Sequence, residues 1–478
     1  MFGFVWNTAK PSLSVLWGIM SGLMNKKDPV GFRSLVALSF PIAISLLSYT
    51  AMGIVDTIFV SDLGTSELAA VGLAVTIVFF LHAFTNGLLN GVRVAVSQKI
   101  GFGDEQSAKE FAFQGIWLAG FFSSVVLLIA YYMQSIWPIF GTSVRVQSLA
   151  NEYFMLRMLG APFAFLMMSI SSWYQGCGDM KTPMIATVLA NGINIIVDPI
   201  LIYGMWVIPP MGVGGAGLAS AIGFASGCGW LVLKCRGSLV GVSAALQFPL
   251  WMKIWFVGSP IGLRNLLEVG SYVLFAGILA RVGEVHLAAH VIVIRIISLS
   301  FLPGYALGEA ASVLVGQSIG AGRPAQARKA WKNAATLGVC VMAFFGLVFL
   351  LFPHLLLNIF QPEAQVFDLG RKLLLVAVGF QIFDAVAMVA ICSLNGAGDT
   401  KFVMLVCVAV SWLVKIPLGY VFAIVFSMGA VGAWYALTIE IILLACIGVW
   451  RLRGQRWLEH DVLLTEKSFA VVESGGEK

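Results

Sequence analysis

The chain runs to 478 residues, of which 59% are hydrophobic and only 11% charged, with a formal charge of +6. A typical soluble domain carries roughly 25% charged residues, so a water-soluble globule is excluded. The positive excess is better explained by its distribution along the chain than by a nucleic-acid partner.

Residues 1–33 hold two short apolar stretches, Phe2-Gly3-Phe4-Val5-Trp6 and Leu13 to Met24, followed by Lys26-Lys27. No small-residue cleavage site follows them, so the segment is read as an interfacial helix on the cytoplasmic leaflet, not a cleaved signal. Apolar stretches of about 20 residues then recur, each long enough to cross about 30 Å of hydrocarbon. In lipid, backbone amides are satisfied only within helices or a closed barrel. The runs are continuous rather than alternating, which excludes a barrel. An all-α membrane protein of twelve transmembrane helices is therefore predicted.

The helices are predicted at 34–61, 70–98, 112–136, 153–176, 183–204 and 213–235 in a first lobe (34–235). After a cytoplasmic linker (236–252), a second lobe (253–451) holds 253–281, 288–318, 331–352, 371–395, 402–426 and 430–451. Glycine, proline and charged clusters such as Gly101-Phe102-Gly103-Asp104 and Pro209-Pro210 punctuate them. The tail, 452–478, is polar and reads as disordered. Seven cysteines (Cys177, Cys228, Cys235, Cys340, Cys392, Cys407, Cys446) are scattered without a Cys-x-x-Cys or Cys/His cluster. Neither disulfides nor zinc are expected.

Lysine and arginine orient the chain. Eighteen of them, from Lys10 to Arg456, fall on the N-terminal side, twenty with Lys467 and Lys478. Five (Arg145, Arg157, Arg281, Arg371, Lys372) fall opposite. The bias places both termini in the cytoplasm.

The second lobe repeats the first. Pro41-Ile42, Gly64, Leu68-Ala69-Ala70, Gln98, Ile100-Gly101 and Gly103 match Pro260-Ile261, Gly283, Leu287-Ala288-Ala289, Gln317, Ile319-Gly320 and Gly322, all at an offset of 219. Gly176, Gly178-Asp179, Lys181 and Met184 match Gly396, Gly398-Asp399, Lys401 and Met404 at 220, and Gly215-Ala216 matches Gly432-Ala433 at 217. Six helices per unit is an even number, so the repeat is parallel about an axis along the membrane normal. Two such bundles can rock about a central cavity to give alternating access.

A charge at the bilayer centre costs at least roughly 2.5–3.5 kcal/mol, so each needs a partner or a purpose. Asp56 lies late in the first helix. Asn194 and Asp198 lie four apart on one face of the fifth, ahead of Pro199. Arg264 and Glu268 have the same spacing in the seventh, and Asp384 sits in the tenth. Buried carboxyls can take up a proton, or with an amide and a hydroxyl form an oxygen cage for sodium. The competing reading is a structural ion pair or an interhelical hydrogen bond. Two acids such as Asp56 and Asp198 do not make a salt bridge, which favours function there. Arg264 could neutralise Glu268. Glu309, Glu440, Arg93, Arg295 and Lys415 read as pairing or interface residues, and His82, His286 and His290 as packed ones.

There is no phosphate-binding loop, so no in-chain ATPase, and no His-Glu-x-x-His or Gly-x-Ser-x-Gly. Neither catalysis nor a cofactor is expected. Energy then comes from an ion gradient: one charge falling through roughly 150 mV yields about 3.5 kcal/mol.

Several motifs resemble those of the multidrug and toxic compound extrusion (MATE) family, over about residues 34–451. Val55-Asp56-Thr57-Ile58-Phe59-Val60 with Leu68-Ala69-Ala70-Val71-Gly72 is similar to its first signature. Gly176-Cys177-Gly178-Asp179-Met180-Lys181-Thr182-Pro183 and Asn395-Gly396-Ala397-Gly398-Asp399-Thr400-Lys401 resemble its paired loops, and Val315-Gly316-Gln317-Ser318-Ile319-Gly320-Ala321-Gly322 the end of its eighth helix. The resemblance implies a V-shaped pair of lobes and an antiporter, likened to both NorM-like and DinF-like members. It would export amphipathic, often cationic compounds across the inner membrane as a monomer, in exchange for protons or sodium. It further implies a proton or sodium site at Asp56, Asn194, Asp198 and Ser220, a bend in the first helix at Pro41, and a second cation site at Glu268 and Asp384. Arg264 and Glu309 depart from the usual pattern. The alternative is a flippase for a lipid-linked precursor, which would want a strongly basic cavity; only Arg93, Arg264, Arg295 and Lys415 could supply one.

Overall fold

The structure is a computed structural model, described for residues 28–133, 137–205, 208–239, 242 and 244–458. The expected interfacial helix before residue 28 and the tail beyond 458 lie outside these residues. All regular structure among the described residues is helical. Eleven helices are long and apolar enough to span a bilayer, and a bent pair makes a twelfth span. They are α1 Phe32–Ser61, α2 Thr65–Phe102, α3 Glu105–Met133, α4 Val144–Met158 with Ala161–Gly176, α5 Lys181–Ile202 and α6 Gly212–Cys235. The second set is α7 Phe248–Val282, α8 Glu284–Gly320, α9 Pro324–Leu351, α10 Ala364–Gly396, α11 Thr400–Val425 and α12 Gly429–Arg453.

Three departures from the sequence expectation have local causes. Helix α3 begins at Glu105 rather than 112, because Asp104 accepts a hydrogen bond from the Ser107 N–H at 3.0 Å and so caps it. Helix α4 starts at Val144 rather than 153. Its first part carries Arg145, Gln147, Asn151, Glu152 and Arg157, a composition that reads as loop, and the helix bends by 44° before Ala161. Gly160 and Pro162 supply the break. In α11, Pro417 brings no N–H to the ladder, and the helix passes it with π-turns at Ser411–Lys415 and Val421–Val425. Helix α1, by contrast, runs unbroken through Pro41.

The repeat is visible in the backbone. Gly178 and Gly398 turn the α4–α5 and α10–α11 loops with the same left-handed φ of 89°. Helices α1–α6 pack mainly on one another, as do α7–α12, and α2 against α7 and α8, with α1 against α8, joins the halves. Where α2 crosses α7, glycines meet: a Cβ on Gly87 would lie 2.5 Å from the Gly262 Cα, and one on Gly91 2.9 Å from the Gly258 Cα. Small residues let these backbones touch.

Crossed hydrogen bonds brace the end carrying the α4–α5 and α10–α11 loops. The Gln98 amide donates to the Ala397 carbonyl at 3.2 Å, and its repeat counterpart Gln317 donates to the Gly176 carbonyl at 3.0 Å. Beside them Arg93 of α2 is ion-paired and hydrogen-bonded to Glu309 of α8, both buried. The pairing expected of these two residues is met, and each is the other's partner across the halves.

Candidate functional site

In the N-terminal half, α1, α5 and α6 bring together all four residues that the sequence nominated. Asp198, Asn194 and Ser220 are buried, and Asp56 is half-buried. The Asn194 amide is satisfied at both ends with its nitrogen toward Asp56, donating to Oδ1 at 3.0 Å, while its oxygen accepts from the Ser220 N–H at 3.2 Å. Asp198 Oδ1 is buried without a hydrogen-bond partner among the described residues. Two carboxylates both lack a donor, so a direct contact between Asp56 and Asp198 would need a proton between them.

Sequence reasoning missed Arg157, which was placed outside the membrane with the opposite-side charges. The bend of α4 turns it inward, 7% exposed, where its guanidinium lies 5.0 Å from the centroid of the Phe224 ring. A polar segment that looked like a loop hid it. One turn before Asn194, Asn191 donates to the Ser48 hydroxyl at 2.8 Å and lines a cavity of about 260 Å³ with Tyr49, His82, Asn86 and Gln175. Pro41 is not part of the site: fifteen residues of helix put it about 22 Å from Asp56.

In the C-terminal half, Glu268 and Asp384 line one cavity of about 390 Å³, together with Arg264, Tyr272, Phe301, Tyr305 and Phe380. The Arg264 Nε lies 3.9 Å from Glu268, and its Nη2 donates to the Asn265 oxygen at 2.9 Å. Glu440 lines the same cavity, and Lys415, outside the lining, pairs with it at 3.1 Å. Ser411 donates its hydroxyl to the same carboxylate. Ser411 and Lys415 lie four apart in α11, a spacing that could have flagged them as Asn194 and Asp198 were flagged. Asp384 has no ion-pair partner among the described residues. Histidines behave as packed side chains: His82 meets Phe165 edge-to-face, and His290 accepts from the Trp434 indole at 3.2 Å.

Comparison with known proteins agrees with this architecture. The family model described as MatE matches residues 41–200 and 260–421, one block in each half. A probable multidrug resistance protein NorM of Pseudomonas putida is 28% identical over 437 residues, covering 89% of this chain and 94% of the relative. One of the same name from Thermotoga maritima is 26% identical, covering 91% and 95%. Among solved structures, an outward-facing multidrug resistance MATE family transporter superposes with a TM-score of 0.84 at 22% identity, covering 92% of this chain and 98% of that one. A MOP superfamily transporter from Pyrococcus furiosus superposes with a TM-score of 0.83 at 21% identity, covering 92% and 98%. The chain belongs to the MatE family and is a multi-pass membrane protein.

Proposed function

We propose that this MatE-family protein is a proton-coupled antiporter that exports amphipathic, often cationic organic compounds across the inner membrane, with both termini cytoplasmic. The observation that carries the reading is the convergence of Asp56, Asn194, Asp198 and Ser220 from three helices, with Asn194 bonded to Asp56 and the buried Asp198 Oδ1 left without a partner among the described residues. Two acids brought together there change the charge of the site by one when one of them gains or loses a proton. Proton influx then drives a change in access, because the loaded and unloaded sites favour different arrangements of the two halves. The crossed glutamine bonds close the end that the charge bias assigns to the cytoplasm, which makes this the outward-facing arrangement. The relatives named as multidrug resistance proteins support the substrate class.

The C-terminal cavity suits the organic cation. It offers aromatic walls and one carboxylate, Asp384, free of a basic partner. The flippase reading is less favoured, because three of the four basic side chains that could read an anionic headgroup are engaged: Arg93 is held by Glu309, Arg264 by Glu268 and Lys415 by Glu440, which leaves the exposed Arg295. The test is drug resistance in an efflux-deficient host. Asp56→Asn is expected to abolish it while the protein still reaches the membrane, and full resistance from that variant would refute the mechanism.

A further inference from the structure

The family resemblance implies a cation site at Glu268 and Asp384, and the side chains around that position do not fit a sodium ion. A sodium cage needs several oxygens free to converge on the ion. Here the Glu268 carboxylate and the Asn265 oxygen face the Arg264 guanidinium, at 3.9 and 2.9 Å. The third carboxylate of the cavity, Glu440, is held by the Lys415 ammonium at 3.1 Å and by the Ser411 hydroxyl. Lys415 is fully buried, and its Nζ stands 4.1 Å from the centroid of the Tyr272 ring, whose π-face also attracts a cation. Ser411 and Lys415, four apart within the π-turn of α11, meet the same carboxylate of α12. Among the described residues no three His, Cys, Asp or Glu side chains converge as a metal-ligand set.

We propose that Lys415 is a built-in counter-ion. Its ammonium takes the electrostatic role that a bound sodium ion would have in this cavity, so the C-terminal half works without sodium. Three carboxylates line the cavity; Arg264 faces Glu268 and Lys415, outside the lining, neutralises Glu440, leaving one net negative charge, at Asp384, for an organic cation. A sodium ion feels the same net charge but needs several free oxygens in place of its water, and among these three carboxylates Asp384 alone has no cationic partner among the described residues. The proposal goes beyond the transport reading and does not depend on it.

The experiment measures binding of radioactive sodium to the purified protein at neutral pH, with no transport step. Wild type, Lys415→Met, Lys415→Arg, Asp384→Asn and Lys415→Met/Glu440→Gln are compared, each also in an Asp56→Asn background to remove any contribution from the N-terminal half. In that background the wild type and Lys415→Arg should show no saturable sodium site. Lys415→Met should gain one at least about tenfold tighter, by freeing the Glu440 carboxylate, and Glu440→Gln should remove it again. Saturable sodium binding by the wild-type cavity that disappears in Asp384→Asn would overturn the proposal, whatever the fate of Lys415→Met. So would a folded Lys415→Met protein that binds no sodium.

Discussion

At the repeat offset of 219, Asp56 of α1 corresponds to Phe275 of α7, and Glu268 of α7 corresponds to Tyr49 of α1. Phe275 is buried in the apolar core of its half, whereas Asp56 accepts a hydrogen bond from Asn194, one turn from Asp198 on α5. In the N-terminal half an acid meets an acid. In the C-terminal half acids meet bases, Glu268 with Arg264 and Glu440 with Lys415. The same backbone thus carries two electrostatic designs. A pair of acids can bind and release a proton, while an acid paired with a fixed cation stays ionised and has little reason to take one up. What the halves keep in common is mechanical: the loop glycines, the crossed glutamines and the close helix contacts at the joint. Chemistry diverged where the cavities are, and the brace between the halves stayed paired.

The strongest way to break this comparison is to neutralise one acid on each side. Asp198→Asn is expected to eliminate gradient-driven exchange in proteoliposomes. Asp384→Asn should keep the coupling and raise the apparent KM for a cationic dye by about tenfold, the effect of losing roughly 1.4 kcal/mol of attraction. Equal losses in both variants would mean that the halves share the coupling role.

A second test concerns the ion pair between the halves. Arg93→Gln leaves Glu309 buried without its partner, which should lower stability by about 3–5 kcal/mol. The double variant Arg93→Gln/Glu309→Gln should regain most of it, as read by denaturation in detergent. The joint itself is unequal too, since Gly91 of α2 has Ala310 as its counterpart in α8. Gly91→Ala should cost about 1–3 kcal/mol by overpacking against Gly258, although alanine is native at the equivalent place.

The smallest effect is at the loops. Asp104 caps α3, whereas its counterpart Arg323 gives α9 no side-chain cap. Asp104→Ala should therefore cost about 1 kcal/mol, measured by thermal melting. The hydrogen bond with Ser107 holds the Asp104 carboxyl below its ordinary range. Its contribution is thus complete above the usual carboxylate range and lost as pH falls through the lowered value.

Much of this was legible in the sequence. Long apolar runs fixed the helices, and the constant offset exposed the repeat. Asn194 and Asp198 declared themselves by lying one turn apart in an apolar helix. Arg157 did not, because a polar stretch beside a bend has the composition of a loop, and only the packing of α4 against α6 turns it inward. The partners of Arg93 and Lys415 were equally hidden. Each lies on another helix, 216 residues away for Glu309 and 25 for Glu440, and local spacing carries no trace of such contacts. The orientation of the Asn194 amide likewise depends on neighbours from two other helices, Asp56 of α1 and Ser220 of α6.

Efflux of a dye cation from proteoliposomes, under separately imposed proton and sodium gradients, tests the central claim most directly. The account predicts that an inward proton gradient drives efflux in the wild type, that a sodium gradient alone does not, and that Asp56→Asn abolishes the proton-driven component. Efflux driven by sodium alone, or proton-driven efflux that persists in full in Asp56→Asn, would contradict it.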